Sequence, residues 1–489
     1  MSSNFDAIIL GSGIGGLTAG AFLAKQGLRV AVLEKHFQPG GYAQGFSRQG
    51  FSFDSSVHSV SLADNGFICG LLKELGARDS ITTVPNSSTA RIIGPDLNCV
   101  LPAALTALTG SLARDFPSEK KTVPELLADM QQLFSTYKGG LFQTTGKPVA
   151  PVVKADIVKA TQSYRDYIED FIKDEKLRYL FGAIWPFGGS SPSYAPVYNA
   201  LIFIAHALEG SHYIKGGFSQ LAAALCSVID RNGGEVKTKW PVRGLDVDSD
   251  KTVRAVVNAS GEKLTAGVFV SNVSPFQLYH ELIPEKSRNR IWLRRLSGLR
   301  PSVSAVCVYL GIEGDASDIV KDNITFWFGS RDHDEIYRRV LSGPRGAMDH
   351  LIIIRPPLGG RDSTLTLIHF VKPEAGTDWA GEKKKIGEAM LAKAESILGS
   401  FSPRIRVCET ASPATFERYT GNTGGACYGF ENVKDLYGQS KLPFTTYLRN
   451  LYQAGHWTKA GGGIYNVMTS GYVVANMILN NKQSNKVTS

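Results

Sequence analysis

Residues 11–16, Gly-Ser-Gly-Ile-Gly-Gly, constrain this chain more than any other stretch. Phe5 to Leu10 before them reads as a short buried strand, the apolar run after them as a helix, and Leu28 to Leu33 as a second strand ending at Glu34. Gly11 permits a tight turn, Gly13 lets the backbone approach a pyrophosphate, and Gly16 lets the helix lie close on the sheet, with the helix N-terminus facing the phosphates. Glu34 stands 23 positions beyond Gly11, where a carboxylate accepts hydrogen bonds from an adenosine ribose. The order strand, glycine turn, helix, strand, acid therefore predicts a parallel sheet and a dinucleotide site.

Four further blocks follow. Pro39-Gly40-Gly41 permits positive φ and close backbone approach to a cofactor, or makes an ordinary turn. Gly50 to Asp54 reads as a turn and short strand leading to Ser55-Ser56-Val57-His58. In the middle of the chain, Ile214 to Leu221 opens an apolar helix to Ile229, Pro241-Val242 starts a strand to Val247, a hairpin surrounds Asn258 to Gly261, and Leu264 to Val270 closes at Ser271-Asn272. Near the end, Leu451 to Trp457 is followed by Gly461-Gly462-Gly463-Ile464-Tyr465-Asn466 and a small-residue helix from Thr469 to Leu479.

Length and composition limit what can surround these blocks. A chain of 489 residues, 43% hydrophobic and 20% charged, has the make-up of a globular protein of several units. Six dispersed cysteines, with no CxxC or CxxH pair, support neither a zinc nor an iron–sulfur site nor a disulfide scaffold, so no metal is expected and a reducing, cytoplasmic location is. The N-terminal residues lack the positive region of a secretory signal. No run approaches the ~20 apolar residues of a spanning helix, so any membrane contact should be peripheral. The net charge of +9 favours anionic neighbours, but its basic residues are dispersed and no nucleic-acid recognition motif accompanies them.

Taken together, the blocks at 5–60, 210–275 and 450–480 resemble the flavin-dependent superfamily of phytoene desaturases, carotenoid cis–trans isomerases and retinol saturases, itself related to the amine oxidases. Gly-Tyr-Ala-Gln-Gly-Phe at 41–46, with Phe53-Asp54 and His58, is more similar to the isomerase and saturase branches than to the amine oxidases. The resemblance implies a mixed α/β and α+β fold: a discontinuous, Rossmann-like FAD-binding domain of the glutathione-reductase type and a mixed substrate-binding domain. The implied FAD domain takes residues 1–75, 206–285 and 416–489, and the substrate domain takes 76–205, mostly helical, and 286–415, sheet plus helices. FAD is the implied cofactor, and the resemblance places Gly11, Ser12, Gly13, Gly15 and Gly16 at its pyrophosphate, Glu34 at the ribose with Lys35 beside it, and Gly40 and Gly41 near the flavin. It places Val242 at the adenine, and Gly455, Gly462, Gly463 and Ile464 beside the flavin ring and ribityl chain. The chain departs from the family by carrying His456 where an acid is frequent and Tyr42 where a basic residue is; His456, on the flavin-side motif, is counted with the cofactor residues.

The chemistry implied is hydride exchange with the flavin against a lipophilic substrate, an isoprenoid or other polyene. Such a substrate asks for an apolar pocket, for which Phe181, Trp185, Phe187 and Phe203 are the candidate lining, their alternative being ordinary core. His58 is the candidate for moving a proton, and Tyr428, in the glycine-rich segment before the last block, the candidate for facing the substrate. A redox-neutral double-bond isomerase is the second reading. A flavin amine oxidase is the third, with Tyr428 and Trp457 as an imitation of its aromatic cage, and a prenyl-protein carrier like the Rab GDP-dissociation inhibitors is the fourth. The electron partner is open among quinone, oxygen and NAD(P)H. Lys286 to Arg300, with six basic residues and Trp292, Leu296 and Leu299 at helical spacing, reads either as a helix against an anionic membrane surface or as one packing its apolar stripe on the protein.

Overall fold

The computed structural model describes residues 4–142, 154–343, 348–358, 362–374, 376–436 and 441–487. Its first sheet carries the dinucleotide motif. Across it run Glu235–Lys237, Val30–Leu33, Phe5–Leu10, Lys263–Ser271, Val253–Asn258 and Val242–Val247, and Leu451–Gln453 pairs with the end of Lys263–Ser271. Ile8 lies between Ala31 and Phe269 in parallel register. Central parallel strands are covered on both faces, which is why Ala7 to Leu10 and Val30 to Leu33 are apolar without alternation.

The helix Ile14–Lys25 follows Gly13 directly and is buried from Ile14 to Ala24. It has no polar face because it lies between the sheet, the helix Ser219–Arg231 and the C-terminal helix Ile464–Val487. Glycine makes the last of these contacts possible: a Cβ on Gly471 would lie 2.3 Å from the Gly15 carbonyl oxygen and 2.9 Å from the Ala19 nitrogen. The two ends of the chain thus interlock over the first sheet.

A second seven-stranded sheet runs Ile405–Ala411, Ser304–Glu313, Asp362–Val371, His350–Ile354, Ile324–Phe328, Ser88–Gly94, Leu97–Pro102. Its register sets Phe326 beside Ile352, Ile352 beside Ile368 and Ile368 beside Cys307, a row of four side chains across four strands. Strands of the first sheet come from the first, third and fifth of the five segments set out above, and strands of the second from the other two.

The basic segment forms a helix, Arg290–Ser297, whose Leu296 is buried along with Leu299 beyond it, while Trp292 and Leu293 pack half-buried on the core. The apolar stripe therefore faces inward, and Ile291, 82% exposed between Arg290 and the outward Arg294, is its apolar residue on the solvent side. Among the described residues no helix is long and apolar enough to cross a membrane, and no group of His, Cys, Asp and Glu could hold a metal ion.

Candidate active site

At the end of Phe5–Leu10 the Gly11 N–H donates to Leu33 O at 2.8 Å, and the chain turns with φ +91° at Gly11. Gly16 faces back onto this turn; a Cβ there would sit 2.3 Å from the Gly11 carbonyl oxygen, so no other residue keeps the helix this close. Glu34 is fixed by its neighbours: one carboxylate oxygen accepts from the Ser12 N–H at 3.0 Å and the Ser12 hydroxyl at 2.6 Å, the other from the His36 N–H at 2.8 Å. Pro39-Gly40-Gly41 then crosses the glycine loop, with the Gly40 N–H donating to Ser12 O at 3.0 Å.

These turns open one large cavity of about 450 Å³. Gly11, Gly13, Gly15, Glu34, Lys35, Gly40, Gly41, Val242, Gly455, His456, Gly463 and Ile464 all line it, as do His58 and Tyr428. Three expected cofactor residues do not. Ser12 turns its side chain to Glu34, Gly16 packs on the turn, and Gly462 backs onto Tyr428, whose Cα would be 2.9 Å from a Cβ there.

Sequence reasoning did not single out Asn272, which sits where three glycines meet. Its side-chain amide would be 2.6 Å from a Cβ on Gly13, 2.9 Å from one on Gly15 and 2.3 Å from one on Gly455. Asn272 is held at the strand end by its N–H, which donates to Leu10 O at 2.8 Å. A glycine cradle at a buried helix N-terminus, an acid on the second strand and a neutral amide over the loop are the donor set of a dinucleotide pyrophosphate and ribose.

The far end of the cavity is apolar. The row Phe326, Ile352, Ile368 and Cys307 forms its floor, with Phe370 and Ala305 beside it and Phe187 and Ile202 above. Of the four aromatic residues expected there, Phe187 lines the cavity. Phe181, Trp185 and Phe203 lie behind it in the core. On the helix Val197–Glu209 the cavity-facing pair is Ile202 and His206, four apart, so Phe203 between them turns away. Trp185 is packed among the rings of Phe328, Tyr337, His350 and Phe370 at 5.6–6.1 Å.

Burial holds two polar groups of the cavity lining neutral. Burial pushes the His456 imidazole down to about 4 and the Cys427 thiol up to about 12. His456 Nε2 lies 3.0 Å from Asn422 Oδ1, which also accepts from Trp457 Nε1 at 2.7 Å. Trp457 is buried against Phe276 and Phe430 and is not part of the lining, so Tyr428 and Trp457 do not make an aromatic cage. The Tyr428 hydroxyl donates to Pro186 O at 2.6 Å, which ties the glycine-rich segment to the turn carrying Phe187. His58 Nδ1 is 3.2 Å from Ser56 O, and burial lowers the ring's pKa, which favours its neutral form.

The chain is 25% identical to the all-trans-retinol 13,14-reductase of Macaca fascicularis, over 92% of this chain and 82% of that protein. It is 24% identical to the lycopene-forming phytoene desaturase of a Paracoccus species, over 98% of both. An oxidoreductase structure from Methanosarcina mazei shares the fold with a TM-score of 0.65 at 17% identity, covering 97% of this chain and 100% of that one. Residues 14–479 match the family described as flavin containing amine oxidoreductase. The chain belongs to that family, an enzyme with FAD as its cofactor.

Proposed function

We propose that this enzyme oxidises or reduces carbon–carbon double bonds of a lipophilic isoprenoid or related polyene. The observation that carries the reading is continuity: one cavity runs from the glycine cradle to the row Phe326, Ile352, Ile368 and Cys307, with no charged side chain in that row. A long apolar molecule fits such a wall better than an amine does, because an ammonium group there would lose its hydration without a counter-charge. Relatives named for retinol reduction and phytoene desaturation support the same class.

Bound FAD supplies hydride exchange at the flavin N5. The chain's residues do the rest. Gly11, Gly13 and Gly15 with Asn272 would hold the pyrophosphate, Glu34 the ribose and Val242 the adenine, while Gly40, Gly41, Gly455, Gly463 and Ile464 would lie along the flavin. Phe187 and the sheet row orient the polyene and exclude water, Tyr428 fixes Phe187 through Pro186, and His58 meets the substrate. Phe181, Trp185 and Phe203 support this wall from behind. The five-segment division into two domains belongs to the same proposal.

The test is the visible spectrum of the purified protein, followed anaerobically with a panel of polyenes and mass analysis of products. Flavin bleaching with a product two mass units lighter identifies a desaturase, and reoxidation of reduced flavin with one two units heavier a saturase. Turnover at constant mass identifies the isomerase. No spectral change with any polyene would overturn the reading.

A polyene is delivered from a bilayer, and we propose that the enzyme meets an anionic membrane surface on the cytoplasmic side. Exposed Ile291 between Arg290 and Arg294 supports the contact, and six unpaired cysteines suit a reducing compartment. Replacing Arg290 and Arg294 by Glu should reduce co-sedimentation with anionic liposomes at low salt; unchanged binding would refute it.

A further inference from the structure

Lys441 is only 3% exposed. A lysine is almost never enclosed in this way without a carboxylate beside it, because its ammonium gives up hydration. Here there is none: every Asp and Glu of the chain lies among the described residues, and none forms an ion pair with Lys441. Its Nζ donates instead to Asn432 Oδ1. That amide cannot be turned round, since Asn432 Nδ2 donates to Gly188 O at 2.9 Å, an atom that only accepts. The charged side chain hydrogen-bonded to this segment is a second cation, the Arg295 guanidinium, which donates to Lys441 O at 2.6 Å. Burial pushes the Lys441 pKa down to about 8, which leaves the ammonium the main form at pH 7.

This charge lies against the loop that enters the C-terminal helix. A Cβ on Gly461, where φ is +80°, would be 3.9 Å from Lys441 Nζ, 3.7 Å from Asn432 Oδ1 and 3.9 Å from Asn466 Nδ2. Asn466 Nδ2 in turn donates to Gly462 O at 2.9 Å, so the three side chains hold one face of the loop. Gly463 and Ile464, next along the same backbone, line the cavity that receives FAD. Lys441 does not line that cavity. With no side chain from 461 to 463, a single layer of backbone separates the ammonium from the cavity wall, and screening is weak in so buried a place.

We propose that Lys441 is the counter-charge of the reduced cofactor: its ammonium favours reduced over oxidised flavin and so raises the potential of bound FAD. A hydride brings two electrons with one proton, so reduction adds one negative charge to the flavin, and a fixed cation across the loop stabilises the product of that step without bonding to it. The missing carboxylate then has a reason, because an acid paired with Lys441 would cancel the field. Lys441 touches neither substrate nor the cavity; it acts through the loop, on the cofactor alone. The inference rests on the FAD assignment and is independent of which polyene reacts.

The experiment measures the midpoint potential of the FAD-loaded full chain at pH 7, by slow anaerobic reduction against a reference dye with no polyene present. Lys441→Met should lower the ratio of reduced to oxidised flavin about tenfold at a fixed potential, which is about 30 mV for a two-electron couple. Asn432→Asp supplies a second measurement that does not depend on the first variant folding. It keeps the lysine, sets a carboxylate against it at nearly the same volume, and should shift the potential in the same direction. An unchanged potential in either flavinated variant overturns the proposal. So does a Lys441→Met protein that binds FAD tenfold more weakly at the wild-type potential, since the charge then serves the pyrophosphate. Because no substrate enters the measurement, failure of the polyene reading leaves this result standing, and the reverse holds as well.

Discussion

Gly471→Ala separates helix propensity from packing. At a glycine in a helix interior with free space, alanine stabilises by about 1 kcal/mol. At Gly471 the added methyl would meet the Gly15 oxygen at 2.3 Å, and the Ala19 nitrogen and Thr18 Cβ at 2.9 Å. The first two are backbone atoms of the facing helix, so no rotamer change relieves the clash. The helices must part by roughly 1 Å to regain ordinary contact, which adds about 1–3 kcal/mol of overpacking and forfeits a quarter to a half of the dispersion across the crossing. Packing therefore outweighs propensity, and the variant should lose about 1–2 kcal/mol net. At roughly 2.1 cal/mol/K per residue, a chain this long then loses only about 1–2 °C in Tm. FAD affinity is the sharper assay, because the parted helices carry the glycine loop at one end and Gly463-Ile464 at the other. Tenfold weaker FAD binding corresponds to about 1.4 kcal/mol. Gly110→Ala is the control: it lies in the helix Leu105–Asp115 with nothing within 4 Å of its Cβ position, and should stabilise. If Gly471→Ala instead matches Gly110→Ala in Tm and keeps the wild-type Kd for FAD, the close-approach reasoning is wrong.

Asn272→Asp should weaken FAD binding about tenfold or more, since a carboxylate would replace a neutral amide over the glycine loop that receives the pyrophosphate; a titration giving the wild-type Kd would remove Asn272 from the site. Tyr428→Phe should raise the substrate KM several-fold with flavin content unchanged, because the Pro186 carbonyl loses its partner and Phe187 its anchor; steady-state kinetics on the flavinated variant decides it. Acid should destabilise the fold in a defined window. Burial pushes His206 down to about 3 and His333, His369 and His456 to about 4, from 6.5 in the unfolded chain. The folded state keeps these rings neutral while the unfolded state takes up protons, so stability is full above pH 6.5 and declines as pH falls towards 4. A Tm that stays flat from pH 7 to pH 4.5 would contradict this.

What could be read in advance follows from how local the physics is. Gly11 to Glu34 form a unit whose turn, helix and acid are set by neighbours in sequence, so the first two strands and a dinucleotide motif were legible from residue types alone, and FAD from the resemblance. Val242 and Gly455 carry no such local signature, and only the resemblance pointed to them. Asn272 ends a strand as many polar residues do; its position gains meaning from three glycines drawn from both ends of the chain. His206 gains its neighbours only from the fold, which sets its Nδ1 3.2 Å from the Ser61 hydroxyl. Aromatic composition singled out Phe181, Trp185, Phe187 and Phe203 but not which of these rings faces the cavity, because helix phase and the 3₁₀ turn at Trp185–Phe187 decide that.

The interlock of the two chain ends also orders events in time. Helix Ile14–Lys25 leaves the ribosome more than four hundred residues before the helix that covers its outer side. At roughly 5–20 residues per second, that delay lasts tens of seconds. Throughout it an almost wholly apolar helix lacks its lid, and the glycine loop lacks Gly455 and Ile464 across from it. Cofactor loading is then a post-synthetic event, and a chain cut short near its C-terminus exposes that helix to aggregation instead of folding into a smaller working enzyme.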